Sequence, residues 1–236
     1  MINPEALSRS PNFLLASLSP SDAELLEPEL EAVALKRDFV LERPQVTIDY
    51  IYFPDSGIGS IVAGHAVDRH VEVGLFGRDG MSGLSIVLGT DRSPHITYMQ
   101  MSGAGQRMTS DALRRALERS PTLRLFLLRY VQAFMTQTAQ TALANGRARL
   151  EERLCRWLLM CHDRADGDAF LMTHELLSVM LGVRRAGVTV AVHRLASKGL
   201  IRATRGRFVI MDRAGLEDIA NGSYGLSEAE YKRLLG

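Results

Sequence analysis

Cysteine is nearly absent: 236 residues contain two, Cys155 and Cys161. Six positions apart in a helical pattern, they form neither a C-x-x-C pair nor a disulfide framework, which predicts a reduced, cytoplasmic chain. Also missing is any apolar run near the ~18 residues of a membrane span, so no membrane partner is expected. The first twenty residues, MINPEALSRSPNFLLASLSP, start polar and acidic without an apolar stretch and cleavage site, so no signal peptide is expected. Acid is missing locally. Formal net charge is only +1, yet residues 147–211 carry 12 basic and 6 acidic side chains, against 13 and 16 in residues 1–146. Within residues 184–207, Arg184, Arg185, Arg194, Lys198, Arg202, Arg205 and Arg207 stand with no Asp or Glu among them. A solvated face usually mixes signs, so an acid-free run of this length points to a polyanion.

What is present falls into distinct textures. Hydrophobic residues make up 46% of the chain and charged residues 23%, ample for a buried core. SPSDAELLEPEL (19–30) reads as a short helix started by Ser21 or Asp22. From about Val33 to Met108 the chain breaks into short β-rich pieces (FVLE, VTIDYIYFP, GIGSIVAG, HVEVGLFG, HITYMQMSG) separated by Gly, Pro, Asp or Ser, as in a barrel or sandwich. SDALRRALERS (110–120) then reads as an amphipathic helix stopped by Pro121, followed by a long helix from about Thr122 to Asn145. Leu123, Leu127, Tyr130, Phe134, Gln137 and Thr141 recur there at alternating steps of four and three, a heptad seam. About 24 residues at 1.5 Å each span roughly 36 Å, longer than a small barrel needs covered, so these six are expected to form a homodimer interface.

A further helix covers 149–166, Thr173 caps HELLSVML (174–181), Gly182 breaks the chain, and another helix runs to Lys198. Two such helices joined by a Gly-containing turn make a helix-turn-helix. The β-branched run VTVAV (188–192) belongs to its second helix, because Val190 and Ala191 spoil a strand's alternation. Leu177, Leu181, Val188, Val192 and Leu195 then form one inner face. LIRAT, an Arg205-Gly206 turn and RFVIM close as a hairpin wing, and Asp212 caps a last short helix. Arginine suits bidentate contact with guanine or phosphate. The expected DNA-binding set is Thr173, His174, Arg184, Arg185, Gly187, Thr189, His193, Arg202, Arg205 and Arg207.

A β-rich front, a long seam helix and a winged helix-turn-helix together resemble the cyclic AMP receptor protein and FNR (Crp/Fnr) family of bacterial regulators. The resemblance covers about residues 19–220 and is most specific in MTHELLSVMLGVRRAGVTVAVHRLASKGLI (172–201). Thr173, Leu181, Gly182, Arg185, Val188, Leu195, Gly199, Leu200 and Ile201 fit the family pattern. Ala186, Gly187 and Val190 replace the family's Glu, Thr or Ser, and second reading arginine, so docking mode carries over and the usual half-site does not. The implied architecture is α+β: a cyclic-nucleotide-binding-like jelly-roll barrel (19–110), a short helix and long dimerisation helix (111–146), and a winged helix-turn-helix (147–222).

The resemblance also locates a phosphate cassette in GMSGLSIVLGTDRSPHI (80–96), where Gly80, Gly83, Leu84, Arg92 and Ser93 fit. Met81 replaces the glutamate that would bind a ribose hydroxyl, and Pro94 replaces an alanine. A site that recognises by hydrogen bonds loses its discrimination without them, so cyclic nucleotide binding is not expected. Gly80, Met81, Gly83, Arg92, Ser93 and Thr138 remain the candidates for an effector of unidentified kind. Two cysteines exclude a four-thiolate iron–sulfur cluster, and haem on His65, His70 or His95 is not expected. No metal site is expected. His162 and His174 read as structural, with His174 within reach of a phosphate.

The implied partners are double-stranded DNA with a palindromic operator, a second copy of the chain, RNA polymerase and a small-molecule effector. The competing function is a nucleotide-binding or scaffold module whose C-terminal domain binds protein, which the acid-free run opposes. An enzyme is not expected: Gly80-Met81-Ser82-Gly83 falls one residue short of a nucleophile elbow.

Overall fold

The computed structural model describes residues 7–64 and 70–236. After a tight 3-10 turn at Leu7–Arg9, helix α1 (Phe13–Ala16) is capped by Asn12, whose side-chain oxygen accepts from the amides of Leu14 and Leu15. The same buried side chain donates to the carbonyls of Pro54 and Gly80 at 2.8 and 2.9 Å. Helix α2 (Pro20–Leu26) starts two or three residues earlier than its sequence suggests. Its cap is Ser19, not Ser21 or Asp22, because Pro20 needs no amide partner at the first helical position. Asp22 is buried instead and accepts from Ser120 and Thr122.

Strands β1 (Glu31–Leu35), β2 (Val40–Glu42), β3 (Tyr50–Pro54), β4 (Ile58–Ala63) and β5 (Val71–Phe76) follow. A short helix α3 (Leu84–Val87) then precedes β6 (Ile96–Met101) and β7 (Gly103–Thr109). One sheet has the order β1-β7-β3, with Glu31 opposite Arg107 and Tyr50 opposite Thr109; the other has the order β2-β6-β4-β5. Strand β7, GAGQRMT, carries little β propensity of its own. It is a strand because β1 and β3 flank it on both sides, and its glycines are required by the closeness of that backbone. A Cβ on Gly105 would sit 2.3 Å from the Phe53 carbonyl oxygen.

Thr109 caps helix α4 (Ser110–Arg119), and the next helix, α5 (Pro121–Arg147), has 27 residues. Pro121 therefore starts a helix as well as ending one. Leu123, Leu127, Tyr130, Phe134 and Gln137 are buried within their own chain, with Thr141 half-buried, which corrects their assignment to a dimer interface. The large apolar side chains that α5 leaves exposed are Leu125, Leu128, Met135 and Leu143.

Helix α6 (Leu150–His162), strand β8 (Ala169–Leu171), helices α7 (His174–Met180) and α8 (Arg185–Ser197), strands β9 (Ile201–Thr204) and β10 (Arg207–Ile210) and helix α9 (Arg213–Ala220) complete the C-terminal part. A final helix, α10 (Leu226–Leu235), occupies a tail that shows no strong sequence signal. The chain divides into two compact units. The first comprises residues up to Ile61, Leu75–Met135 and Tyr231–Gly236; the second comprises Val62–Gly74 and Thr136–Glu230.

In the second unit, Leu154, Leu158 and Leu159 of α6, Leu177 of α7, Val188, Val192 and Leu195 of α8 and Leu216 of α9 are all buried. Each such aliphatic side chain contributes roughly 1.5–3 kcal/mol by leaving water. Cys155 and Cys161 lie in this core as free thiols, and burial pushes the Cys155 thiol up to about 12. No single helix among the described residues is long and apolar enough to cross a membrane.

Candidate nucleic-acid interface

Helices α7 and α8 are bent by 108° relative to each other, within the range of a helix-turn-helix. Thr173 caps α7 by accepting from the amide of Leu176 at 3.1 Å. The turn is set by Gly182, at φ +60, and by Arg153 of α6, whose guanidinium donates to the Leu181 carbonyl at the end of α7. Leu177, Leu181, Val188, Val192 and Leu195 are buried as one face, while Val190 is half exposed. The β-branched run is thus helical, and its packing decides the matter over its strand propensity.

The wing is the pair β9–β10, in which Thr204 stands opposite Arg207 and Arg202 opposite Val209. Opposed residues share a face and alternate along each strand. Arg202 and Arg207 therefore lie on the exposed face, while Ile201, Phe208 and Ile210 lie on the buried one. A third strand, β8, pairs with the other edge of β10, with Leu171 opposite Arg207. Gly206 turns the hairpin at φ +75.

A cavity of about 430 Å³ opens between α8 and the wing, and Thr173, His174, Arg185, His193 and Arg205 all line it. Five expected DNA-binding residues thus share one concave surface. Thr189 joins them through His174, whose Nδ1 lies 3.0 Å from the Thr189 hydroxyl. Burial, then the positive charge of Arg185 and the nearby His193 ring, hold the His174 pKa below the ordinary histidine value. Arg185 lies 3.9 Å from Glu175, and both side chains are largely exposed.

Four expected residues stand apart from this surface. Arg184 is exposed at the N-cap position of α8, where its side chain makes no cap. Gly187 faces α6, with Leu150 Cδ2 3.3 Å from where its Cβ would be. Arg202 and Arg207 are on the outer face of the wing. Sequence reasoning did not single out Ala203 and Thr204, which line the cavity beside Arg205; small, uncharged strand residues offer no signal for that. Arg194 belongs to the basic run but donates to Glu151 at 2.6 Å.

The cassette region is built differently. Its four successive amides are all engaged inside the protein. Gly80 N–H donates to Gly77 O at 3.0 Å, Met81 N–H to the Tyr130 hydroxyl at 3.0 Å, Ser82 N–H to Tyr52 O at 2.9 Å and Gly83 N–H to Glu42 Oε1 at 2.7 Å. The Tyr130 hydroxyl in turn donates to Met81 O. Met81 and Ser82 are wholly buried. A Cβ on Gly80 would come within 2.2 Å of the Tyr130 hydroxyl, and one on Gly83, at φ +77, within 2.1 Å of Ile51 Cδ1. Burial raises the pKa of Glu42, while the Gly83 hydrogen bond favours its charged form.

The Ser82 hydroxyl accepts from the Tyr52 amide at 3.0 Å and sits in the fold, not at a surface where a substrate could reach it. Ser93 is buried and its hydroxyl accepts from the His95 amide, whereas Arg92 is exposed beside Asp91 at 3.5 Å. Thr138 is half-buried on α5, in the second unit. Of the histidines weighed for haem, His70 and His95 are half-buried, and His65 lies outside the described residues. His162 is held between Arg213 and Asp168, at 3.1 and 2.9 Å.

These features define a winged helix-turn-helix protein. Residues 152–219 match the family of Crp-like helix-turn-helix domains. No curated protein sequence matches the chain significantly. Solved structures do match in fold. A transcriptional regulator of the Crp/Fnr family from Eubacterium rectale aligns at TM-score 0.67 and 16% identity, over 89% of this chain and 98% of that one. FixK2 from Bradyrhizobium japonicum aligns at TM-score 0.70 and 15% identity, over 80% and 96%. The c-di-GMP responsive global regulator CLP of Xanthomonas campestris aligns at TM-score 0.61 and 17% identity, over 81% and 99%. The chain therefore has the fold of the Crp/Fnr transcription regulators, with a helix-turn-helix DNA-binding domain.

Proposed function

We propose that the protein is a dimeric, sequence-reading transcription regulator that binds a palindromic operator in double-stranded DNA. The observation that carries this reading is the concave surface between α8 and the wing, where Arg185, His193 and Arg205 converge with no acidic lining residue among those described. The start of α8 enters the major groove, where Arg185 reads a base edge and Arg205 holds the backbone. Ala186 and Val190, at the family's other reading positions, present no hydrogen-bonding side chain, so the half-site read is not the family's usual one.

Dimerisation is assigned to the exposed stripe of α5, not to the buried one. Leu125, Leu128, Gln132, Met135, Ala139 and Ala142 repeat at steps of three and four and are all exposed. That is a heptad seam left open to a second copy. Replacing Met135 with Glu is expected to yield a folded monomer by sedimentation, whereas Leu127→Glu, at a buried position, unfolds the chain.

Cyclic AMP is not assigned as the effector, and neither haem nor an iron–sulfur centre is assigned as a cofactor. An anion at the Gly83 amide would have to displace the Glu42 carboxylate, and Met81 has no group to accept from a ribose hydroxyl. Other ligands for the β-rich part, including the cyclic dinucleotide that CLP responds to, stay open to metabolite screening. Selection of bound duplexes from a random pool by the purified chain tests the reading. A palindrome with half-sites roughly 34 Å apart supports it, and recovery of unselected sequence contradicts it.

A further inference from the structure

Thr189 determines how His174 can behave. Its hydroxyl lies 3.1 Å from the Arg185 carbonyl oxygen one turn back in α8, and 3.0 Å from His174 Nδ1. A carbonyl oxygen cannot donate, so the single hydroxyl proton goes to it, in the usual back-bond of a helical threonine. The hydroxyl oxygen is then the acceptor for Nδ1, and Nδ1 carries the proton of the neutral ring. Nε2 consequently holds a lone pair. In this tautomer the ring offers no N–H at Nε2, and it meets a phosphate oxygen acceptor to acceptor unless a proton is added.

The surroundings are those of an anion site. The charged and titratable groups facing His174 are Arg185 and His193 of α8 and Arg205 of the β9–β10 turn, all lining the same cavity. Glu175, the next residue of α7, reaches toward Arg185 and not into the cavity lining. Phe208 of β10 meets the imidazole edge-on, with ring centroids 6.1 Å apart. Burial, then the charge of Arg185 and the neighbouring His193, opposes a charge on His174. A phosphate between them reverses the sign of that field.

We propose that this cavity seats one DNA phosphate and that His174 takes up a proton from solvent at Nε2 to hold it, which makes DNA binding proton-linked. The proposal rests on the DNA-binding reading above. Its sign follows from linkage: the bound state carries one more proton than the free state, so affinity falls as pH rises between the free and bound pKa values of His174.

The test is anisotropy of a fluorescein-labelled random-sequence duplex in low salt, between about pH 5.5 and about pH 8.5. Wild type is expected to lose about two- to tenfold in affinity per pH unit within the window, since one linked proton sets the limit at tenfold. Calorimetry in two buffers of different ionisation heat should show net proton uptake. His174→Gln should flatten the profile and weaken low-pH binding, and His174→Arg should flatten it while keeping affinity at high pH.

An undiminished pH dependence in His174→Gln overturns the proposal. So does a flat wild-type profile with binding that still depends on salt. Failure to bind any duplex at any pH overturns the DNA-binding reading beneath it. Nitrogen-15 NMR of the unmodified protein tests the premise without DNA or variants: protonated Nδ1 in the neutral ring supports it, and protonated Nε2 overturns it.

Discussion

The cassette loop and the recognition surface handle their polar groups in opposite ways. At residues 80–83 every amide is bonded within the fold, and Met81 and Ser82 are fully buried. Between α8 and the wing, by contrast, Arg185, His193 and Arg205 converge on an open cavity. A loop whose donors are already satisfied must break hydrogen bonds to take an anion, whereas a surface of converging cations gains by taking one. On the proposed reading, DNA is recognised in the C-terminal half and the hydrogen-bonded loop is structural.

Substitutions can break that contrast. The largest effect is expected at Gly83. Alanine there meets both φ +77 and the buried Ile51 side chain, and should cost about 3 kcal/mol in denaturant unfolding. Gly83→Ala with unchanged stability would mean that the loop is loose. Next, Arg185→Ala should lower discrimination between selected and unselected duplexes by about 1–3 kcal/mol in competition binding. Equal weakening on every sequence would remove its reading role.

Tyr130→Phe should cost about 1–2 kcal/mol of folding stability, because it leaves the buried Met81 amide without its partner. Should Tyr130→Phe instead create affinity for an anion, the loop would be a closed binding site, not a structural one. The smallest change is expected from Arg205→Ala, which should weaken all duplexes alike and reduce the salt slope by about 1.

These two regions also differed in how far residues alone could be read. The helix-turn-helix was legible because Leu177, Leu181, Val188, Val192 and Leu195 combine helical spacing with a glycine break, and all five are buried as expected. The face of α5 was not. Its two apolar stripes share one spacing, and periodicity cannot say which stripe meets the chain's own core. Polar Gln137 and Thr141 made the inner stripe resemble an imperfect dimer seam, yet Gln137 is buried and Thr141 bonds the Gln137 carbonyl.

Strand β8 is three residues long and exists because β10 has a free edge to pair with. Helix α10 lacks a broad apolar face and shows mainly in its start, where Glu228 accepts from the Gly225 amide. In the cassette, the replacement of glutamate by Met81 was visible in the sequence. Its consequence, Tyr130 bridging the Met81 amide and carbonyl, needed the long helix in place. Gly187 was misplaced for a related reason: its position on α8 faces α6, which a linear motif does not record.

On the proposed function, the reading surface is complete without a nucleotide in the cassette. Duplex binding by the purified chain, measured with and without added cyclic AMP, tests it most directly. Salt-dependent binding to a selected palindrome, unchanged by cyclic AMP, is expected. Binding that appears only when cyclic AMP is added would contradict it.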